Sequence, residues 1–317
     1  MKKLVHFLFL ALFFSCSDEE ITTDDCIPQT VVHDATGLSQ TFELEYPYHS
    51  NFIVNPNNHN EVAFKRKLNQ FDTADFIKYN LITKESETVR KNLISYRVRW
   101  SKTGYFVYTH YEPGIGGNIF RIDDTTFEQD RLTSNNMMGV PTVSQDGREI
   151  LSSINYSSPF QALRMTIDGI VTDTIIGWSN YGNWDNRDWI SIASYRGLYI
   201  RTTEDVYDTE PIALVLQKDC DGCGTSYGST WVDEERIFWC QGQGIYITDI
   251  TTGITEEVRA TCNSRSYQLP TYIEALDKVY LERIERYTFQ GKYSEHRLVP
   301  VMMNPDGSGE EIIDIYQ

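Results

Sequence analysis

The chain predicts an all-β fold, a six-bladed β-propeller of four-stranded antiparallel blades, on three observations. Along its 317 residues a short segment leads six times through a turn into an alternating or aromatic-rich strand. The second strands of these hairpins start about 44 residues apart, the length of one four-stranded blade. No stretch holds a sustained helical period, so helices should be few.

The six hairpins run from residues 52–57 into 61–64, from 98–104 into 105–108, and from 141–147 into 149–152; the later three run from 192–197 into 198–200, from 231–235 into 236–239, and from 272–277 into 279–282. A further strand follows several of them, at 118–122, 163–167, 245–249 and 301–303. Two of these end in Asp168-Gly169 and Asp306-Gly307, and Asp-Gly between strands is a strong hairpin signal because both residues tolerate a left-handed backbone. The propeller is expected over residues 40–317.

The residues before it have another character. Lys2 and Lys3 precede an apolar run from Leu4 to Phe14, too short to span a bilayer as a helix and of the right length for a signal peptide. Residues 1–15 are read as that peptide. Cys16 after the small Ser15 resembles the lipobox of bacterial lipoproteins, which implies a lipidated N-terminal cysteine. Ser17-Asp18-Glu19-Glu20 resembles the acidic tag of surface-exported lipoproteins in Bacteroidetes-type bacteria. Residues 16–39 are polar and acidic, the composition of a flexible tether. Together these features predict an outer-membrane lipoprotein on the periplasmic or the cell-surface face, the surface favoured, held to the membrane by its lipid alone.

Hydrophobic residues make up 40% of the chain and aromatic residues 13%, enough for a packed core. The formal net charge is −17, which repels phosphate backbones and anionic lipid surfaces, so no nucleic-acid partner is expected. A monomeric body is expected. An exported chain meets an oxidising compartment; beside Cys16 and Cys26 it carries Cys220, Cys223, Cys240 and Cys262. The sequence leaves the connectivity open, and the pairs expected are Cys220 with Cys223 and Cys240 with Cys262.

Blades two and three carry a family resemblance. Arg131-Leu132-Thr133, then Pro141, Ser144, residues 146–150 and residues 163–169 resemble the repeat of TolB-like six-bladed β-propellers (the PD40 type). Val143 and Gln145 stand where the family pattern has Trp and Pro, while Trp100-Ser101 keeps it. The resemblance implies the fold; propellers host binding, scaffolding and catalysis alike, so it implies no activity.

In such blades the two tight turns share one face, and the loops entering the first and third strands share the other. The loop face is expected to be aromatic. Tyr48, Tyr96, Tyr181, Tyr227 and Tyr267 stand at or just before the innermost strand of five blades, with Met138 in the sixth. They either ring the channel mouth or wedge between blades as repeat residues. The loop leading into blade four adds Trp178, Trp184 and Arg187, types that dominate binding hot spots, with Trp189 expected in the core, and His110 flanks the same face. The function expected is non-catalytic binding of a glycan or a partner protein. The alternatives are a propeller-type polysaccharide lyase or glycosidase, drawing on His49, His110 and His296, or a structural part of an envelope complex. Arg97 and Arg99 alternate on one inner strand and either hold an anion in the channel or pair with acids of neighbouring blades. No catalytic residues, cofactor or metal site is predicted: the six histidines lack paired spacing, and Cys220 and Cys223 lack the helix N-terminus a redox pair needs.

Overall fold

The structure is a computed structural model that describes residues 29–30, 47–69, 73–95, 97–112, 116–134, 138–154, 161–176, 182–186, 189–194, 197–202, 227–241, 244–261, 264–289 and 292–315. After the short β1 (Gln29–Thr30), the chain lays down sheets in strict sequence order. The first is β2 (Tyr48–Asn55), β3 (Asn58–Lys67), β4 (Asp75–Asn80) and β5 (Ser86–Arg90). The second is β6 (Val98–Trp100), β7 (Tyr105–Glu112), β8 (Gly116–Asp123) and β9 (Gln129–Arg131), and the third β10 (Met138–Val143), β11 (Glu149–Ile154), β12 (Gln161–Thr166) and β13 (Val171–Ile176). Then come β14 (Gly182–Asn186), β15 (Trp189–Ser194) and β16 (Gly197–Thr202); β17 (Tyr227–Trp231), β18 (Arg236–Gln241), β19 (Gly244–Asp249) and β20 (Thr255–Ala260); and β21 (Arg265–Ile273), β22 (Lys278–Phe289), β23 (Lys292–Met303) and β24 (Glu311–Ile312). Among the described residues the helical content is one 3₁₀ turn, Glu274–Leu276.

This is an all-β propeller of antiparallel blades. Five blades have four strands of their own, the last with β1 added to β22 as a fifth; the sheet between the third and the fifth has three among the described residues, where six four-stranded blades were expected. The hairpin expected at 192–200 is the second and third strands of that sheet, not the first and second. Its first strand is β14, which pairs Gly182 with Ile192 and Asn183 with Ser191. Gly182-Asn183-Trp184-Asp185-Asn186 has no apolar alternation, so it reads as loop; its neighbours make it a strand.

Each hydrophobic cluster fills one seam between sheets. Ala63 and Phe76 of the first sheet meet Trp100, Phe106 and Tyr108 of the second, with the Phe76 and Phe106 rings edge to face at 4.9 Å. Val107 and Ile119 meet Met138, Ile150 and Met165; Leu151 and Ala162 meet Trp184 and Ile190. Leu198 packs on Trp231 and Trp239, and Phe238 and Ile245 on Val279 and Val299. The last sheet meets the first through Ile273, Tyr280, Ile313 and Ile315 against Val54, Phe64 and Tyr79. Burying each such side chain contributes about 1.5–3 kcal/mol. Strands inside a blade are covered on both sides and read as continuous apolar runs, as in Ile237-Phe238-Trp239-Cys240, whereas the outer β5 and β20 are largely exposed.

Polar side chains stitch the innermost strands at the same seams. Asn51 Oδ1 accepts from Val98 N at 2.9 Å and its Nδ2 donates to Val98 O at 3.4 Å. Thr109 donates to Gly139 O, Ser191 and Ser229 hydroxyls share a bond of 2.9 Å, and Thr230 Oγ1 accepts from Tyr272 N at 3.1 Å. The ring closes on Glu282, whose Oε1 accepts from Phe52 N at 2.7 Å while Oε2 accepts from Gln268 Nε2 at 2.6 Å. Among the described residues the first and last sheets share no strand, and side chains join them.

Candidate functional site

The innermost strands β2, β6, β10, β17 and β21 begin at one face and end at the other. Their far ends feed tight turns, which the sequence shapes with Asp, Ser and Gly. Ser144 Oγ donates to Asp146 Oδ1 at 2.7 Å, and Asp146 accepts from Arg148 N. Gly147 there has φ +77°, and its carbonyl accepts from Ser101 and Thr103 of the neighbouring blade at 2.7 and 3.0 Å. Asp233 and Asp249 organise equivalent turns. At this turn face a cavity of about 820 Å³ occupies the channel mouth, a volume suited to a drug-sized ligand or a short chain segment.

The mouth is divided by charge. The first two blades contribute His59, Arg99 and Lys102; the third contributes the neutral Thr142, Ser144 and Gln145. The fifth and sixth contribute Asp233, Glu234 and Glu274, with Arg236 on the fifth held to Asp233 at 2.6 Å. Two sheets lie between that of Lys102 and that of Asp233 in either direction round the ring, so Lys102 and Asp233 lie on opposing arcs. Burial raises the Asp233 carboxyl, yet backbone donors and Arg236 outweigh it and hold it below the usual carboxylate range, so Asp233 is charged at neutral pH. The aromatic groups in the wall are largely covered: Trp100 is 8% and Trp231 5% exposed. Trp100 Nε1 donates to Asp124 at 2.8 Å.

Deeper in, the channel end of blade one is cationic and paired. Lys65 Nζ donates to Ser95 O at 2.7 Å. Burial raises the Glu282 pKa, opposed by its hydrogen bonds and by Lys65 and Arg97. The sequence left Arg97 and Arg99 between holding an anion and pairing: Arg97 is close enough to Glu282 to stabilise its charge, and Arg99 lines the mouth.

The residues expected on the loop face fare differently. Tyr267 is 2% exposed; its hydroxyl donates to Glu310 at 2.5 Å and Arg259 lies 5.8 Å over its ring. It is a wedge between blades, not a platform, because it lies at the seam closed by Arg259, Glu310 and Arg283. Trp184 is 1% exposed, packed on Leu151 and Ile190 with Arg164 5.4 Å over its ring; it is core because β14 is a strand. Met138 is fully buried and Tyr48 half-buried. His110 packs on Tyr108 and Phe120 and His49 on Phe64, so these two stand in separate aromatic surroundings. Tyr96, Trp178, Tyr181, Arg187, Cys16, Cys220, Cys223 and Cys262 lie outside the described residues, as do the side chains of Tyr227 and His296. Cys240 is a free thiol among the described residues and 1% exposed; its expected partner, Cys262, lies outside them. Cys240 faces the core beside Phe238 and Val279, and burial pushes its pKa up. Among the described residues no cluster of His, Cys, Asp and Glu is placed to hold a metal ion, and no helix is long and apolar enough to cross a membrane.

Sequence reasoning looked for the site on the loop face and so missed His59, Lys102 and Glu274, which line the turn-face cavity. The available signal was charge: Lys102 sits in the second turn, and Asp233, Glu234 and Glu274 sit in the last two.

No family pattern matches the chain, and no curated protein matches it. Solved structures do. The β-propeller domain of the Trilobed protease from Pyrococcus furiosus, described as having an open velcro topology, is 12% identical, with 86% of this chain and 100% of that one covered and a TM-score of 0.53. An acylaminoacyl peptidase solved with Z-Gly-Gly-Phe-chloromethyl ketone is 13% identical, over 84% of this chain and 52% of that one, with a TM-score of 0.51. TolB from Acinetobacter baumannii is 16% identical over 83% and 53%, with a TM-score of 0.41, too loose a superposition to carry an argument. The chain spans about half the length of the peptidase and TolB chains it matches. At these identities the likeness concerns the fold alone, and the fold is that of a β-propeller.

Proposed function

We propose that this chain is a non-catalytic binding protein of the cell envelope, a lipid-anchored six-bladed propeller in which β14–β16 belong to the fourth blade. Its site is the turn-face mouth, and its ligand is a segment of a partner protein carrying both acidic and basic side chains. The observation that carries this reading is the division of the mouth into a cationic arc of Arg99 and Lys102 and an anionic arc of Asp233, Glu234 and Glu274. A mixed-charge segment laid across it satisfies both arcs at once, which gives orientation and selectivity more than raw affinity. A glycan reading needs open aromatic faces for stacking, and the burial of Trp100 and Trp231 argues against it. The lipid anchor rests on the Ser15-Cys16 pattern.

In-cell photo-crosslinking tests the proposal. With the probe at position 102 or 274, one discrete protein adduct common to both sites is expected, and none with the probe at position 94 on the loop face. Adducts only from position 94 would contradict it.

A further inference from the structure

The seam between the last sheet and the first is incompletely packed. A cavity of about 10 Å³ lies in it, walled by Phe52, Val54 and Val62 of the first blade, Tyr280 and Leu281 of the sixth, and Ile313. So apolar a void offers a water too few partners, and its lining forgoes the dispersion contacts that a filled seam would make. In the same cluster the buried hydroxyl of Tyr79 has no hydrogen-bond partner among the described residues, which is uncommon for a buried polar group. Ile53, Val54 and Thr271 line both this cavity and the mouth. The seam is therefore part of the mouth's own wall, between His59 on the first blade and Glu274 on the sixth.

One segment, residues 304–315, starts against the fifth blade and finishes against the first. The Gly307 carbonyl accepts from Arg259 Nη1 of β20 at 3.0 Å, and a Cβ on Gly307 would lie 2.7 Å from Val258 O, with φ at +80°. Glu310, its side chain 10% exposed, is held from three sides: the Tyr267 hydroxyl donates to it at 2.5 Å, Arg259 lies at 2.9 Å, and Arg283 pairs with its other oxygen. β24 then pairs Glu311 with Met302 and Ile312 with Val301, and Ile313 N donates to Pro300 O at 2.9 Å. A ladder of two pairs adds little by itself. The alternation of an extended chain turns Ile313 and Ile315 the same way, and both are buried with Val54, Phe64 and Tyr79 of the first blade. An ion cluster thus anchors one end of the segment, and two isoleucines anchor the other across the seam.

We infer that residues 304–315 are a clasp that sets the spacing of the mouth's two arcs, with Glu310 as its positioning residue. The clasp closes the seam from the outer strand. A ligand that joins the cationic arc of the first two blades to the anionic arc of the fifth and sixth spans the same gap from the channel. Two bonds across one gap assist each other, so clasp closure raises affinity and bound ligand tightens the seam by the same factor. The inference rests on the proposed mouth site.

The test uses the full chain with spin labels at the exposed positions 60 and 276, on either side of the seam, and a control pair at the exposed positions 125 and 170, across the seam between the second and third blades. The probe is a mixed-charge peptide selected by display against the wild type. Peptide binding should narrow the 60–276 distance distribution and leave the control pair unchanged. Glu310→Gln keeps the size of the side chain and removes its charge. It should broaden the 60–276 distribution, speed hydrogen exchange in β2 and β22 but not in β11, and weaken the peptide several-fold; saturating peptide should restore the wild-type distances. Ile315→Val, a milder change at the other end of the clasp, should move the same readouts in the same direction and serves if Glu310→Gln does not fold. A variant that loosens the seam yet binds the peptide as tightly as the wild type would overturn the inference, and so would a 60–276 distribution that neither variant nor peptide alters. Equal binding by wild type and variant removes the clasp's role alone, whereas a wild type that binds no such peptide removes the mouth site and the clasp's role with it.

Discussion

Asn51 shows how much one side chain can carry in this ring. It is 4% exposed and has φ +57°, a left-handed conformation that Asn tolerates better than most residues. From there its amide satisfies both backbone groups of Val98 across the first seam. Asn51→Ala leaves those groups buried without this partner, and a loss of about 1–3 kcal/mol in urea denaturation is expected. Asn51→Gly keeps the backbone conformation but not the bonds, so the difference between the two variants isolates the strain. His49, two residues earlier, sets a pH dependence. Burial first, and the Arg66 charge second, lower its pKa from 6.5 to about 4. Between those values the unfolded chain binds a proton that the folded chain refuses. His49 therefore costs nothing above pH 6.5, and stability falls as the pH drops toward 4, by on the order of 2–3 kcal/mol. A denaturation series over that range should be flatter for His49→Gln; an unchanged slope would remove His49 as the cause.

At the scale of the element, the turns hold the blades together. Gly147 in the turn from β10 to β11 sits so close to blade two that an added Cβ would lie 2.4 Å from Ser101 Oγ and 2.7 Å from Lys102 N. Its φ of +77° penalises any L side chain as well. Gly147→Ala is expected to cost at least about 2 kcal/mol and to speed hydrogen exchange in both the Ser101–Gly104 and Ser144–Gly147 turns. Exchange raised in its own turn alone would show that the two turns are not coupled. These turns were legible in advance because Asp146-Gly147 and Asp168-Gly169 between apolar strands admit few other conformations. β14 was not: Gly182-Asn183-Trp184-Asp185-Asn186 carries no period, and its strand state comes from β15 beside it. The same misreading turned Trp184 from a core residue into a candidate ligand contact. Tyr267 failed for a different reason. A position at the start of an inner strand does not reveal whether a ring points to the channel or into the seam; the deciding partners are Arg259 on the outer strand of the preceding blade and Glu310, 43 positions away.

Over the whole molecule, a repeat of about 44 residues was enough to predict a ring of blades, because each blade can bury its apolar faces only against its neighbours. How the ring closes was not legible: Glu282 joins β22 to Phe52 across 230 positions, and no local pattern announces such a bond. The functional mouth was hidden likewise, since Lys102 and Asp233 share it only after the ring has formed. Its opposed arcs are the central claim, and charge reversal tests them most directly. Peptides selected by display against the wild-type protein should combine acidic and basic side chains. Lys102→Glu and Glu274→Lys should each weaken them about tenfold or more, while the double variant should prefer the same peptides with their charges exchanged. Peptides that bind all four proteins alike, with folding unchanged, would contradict the account.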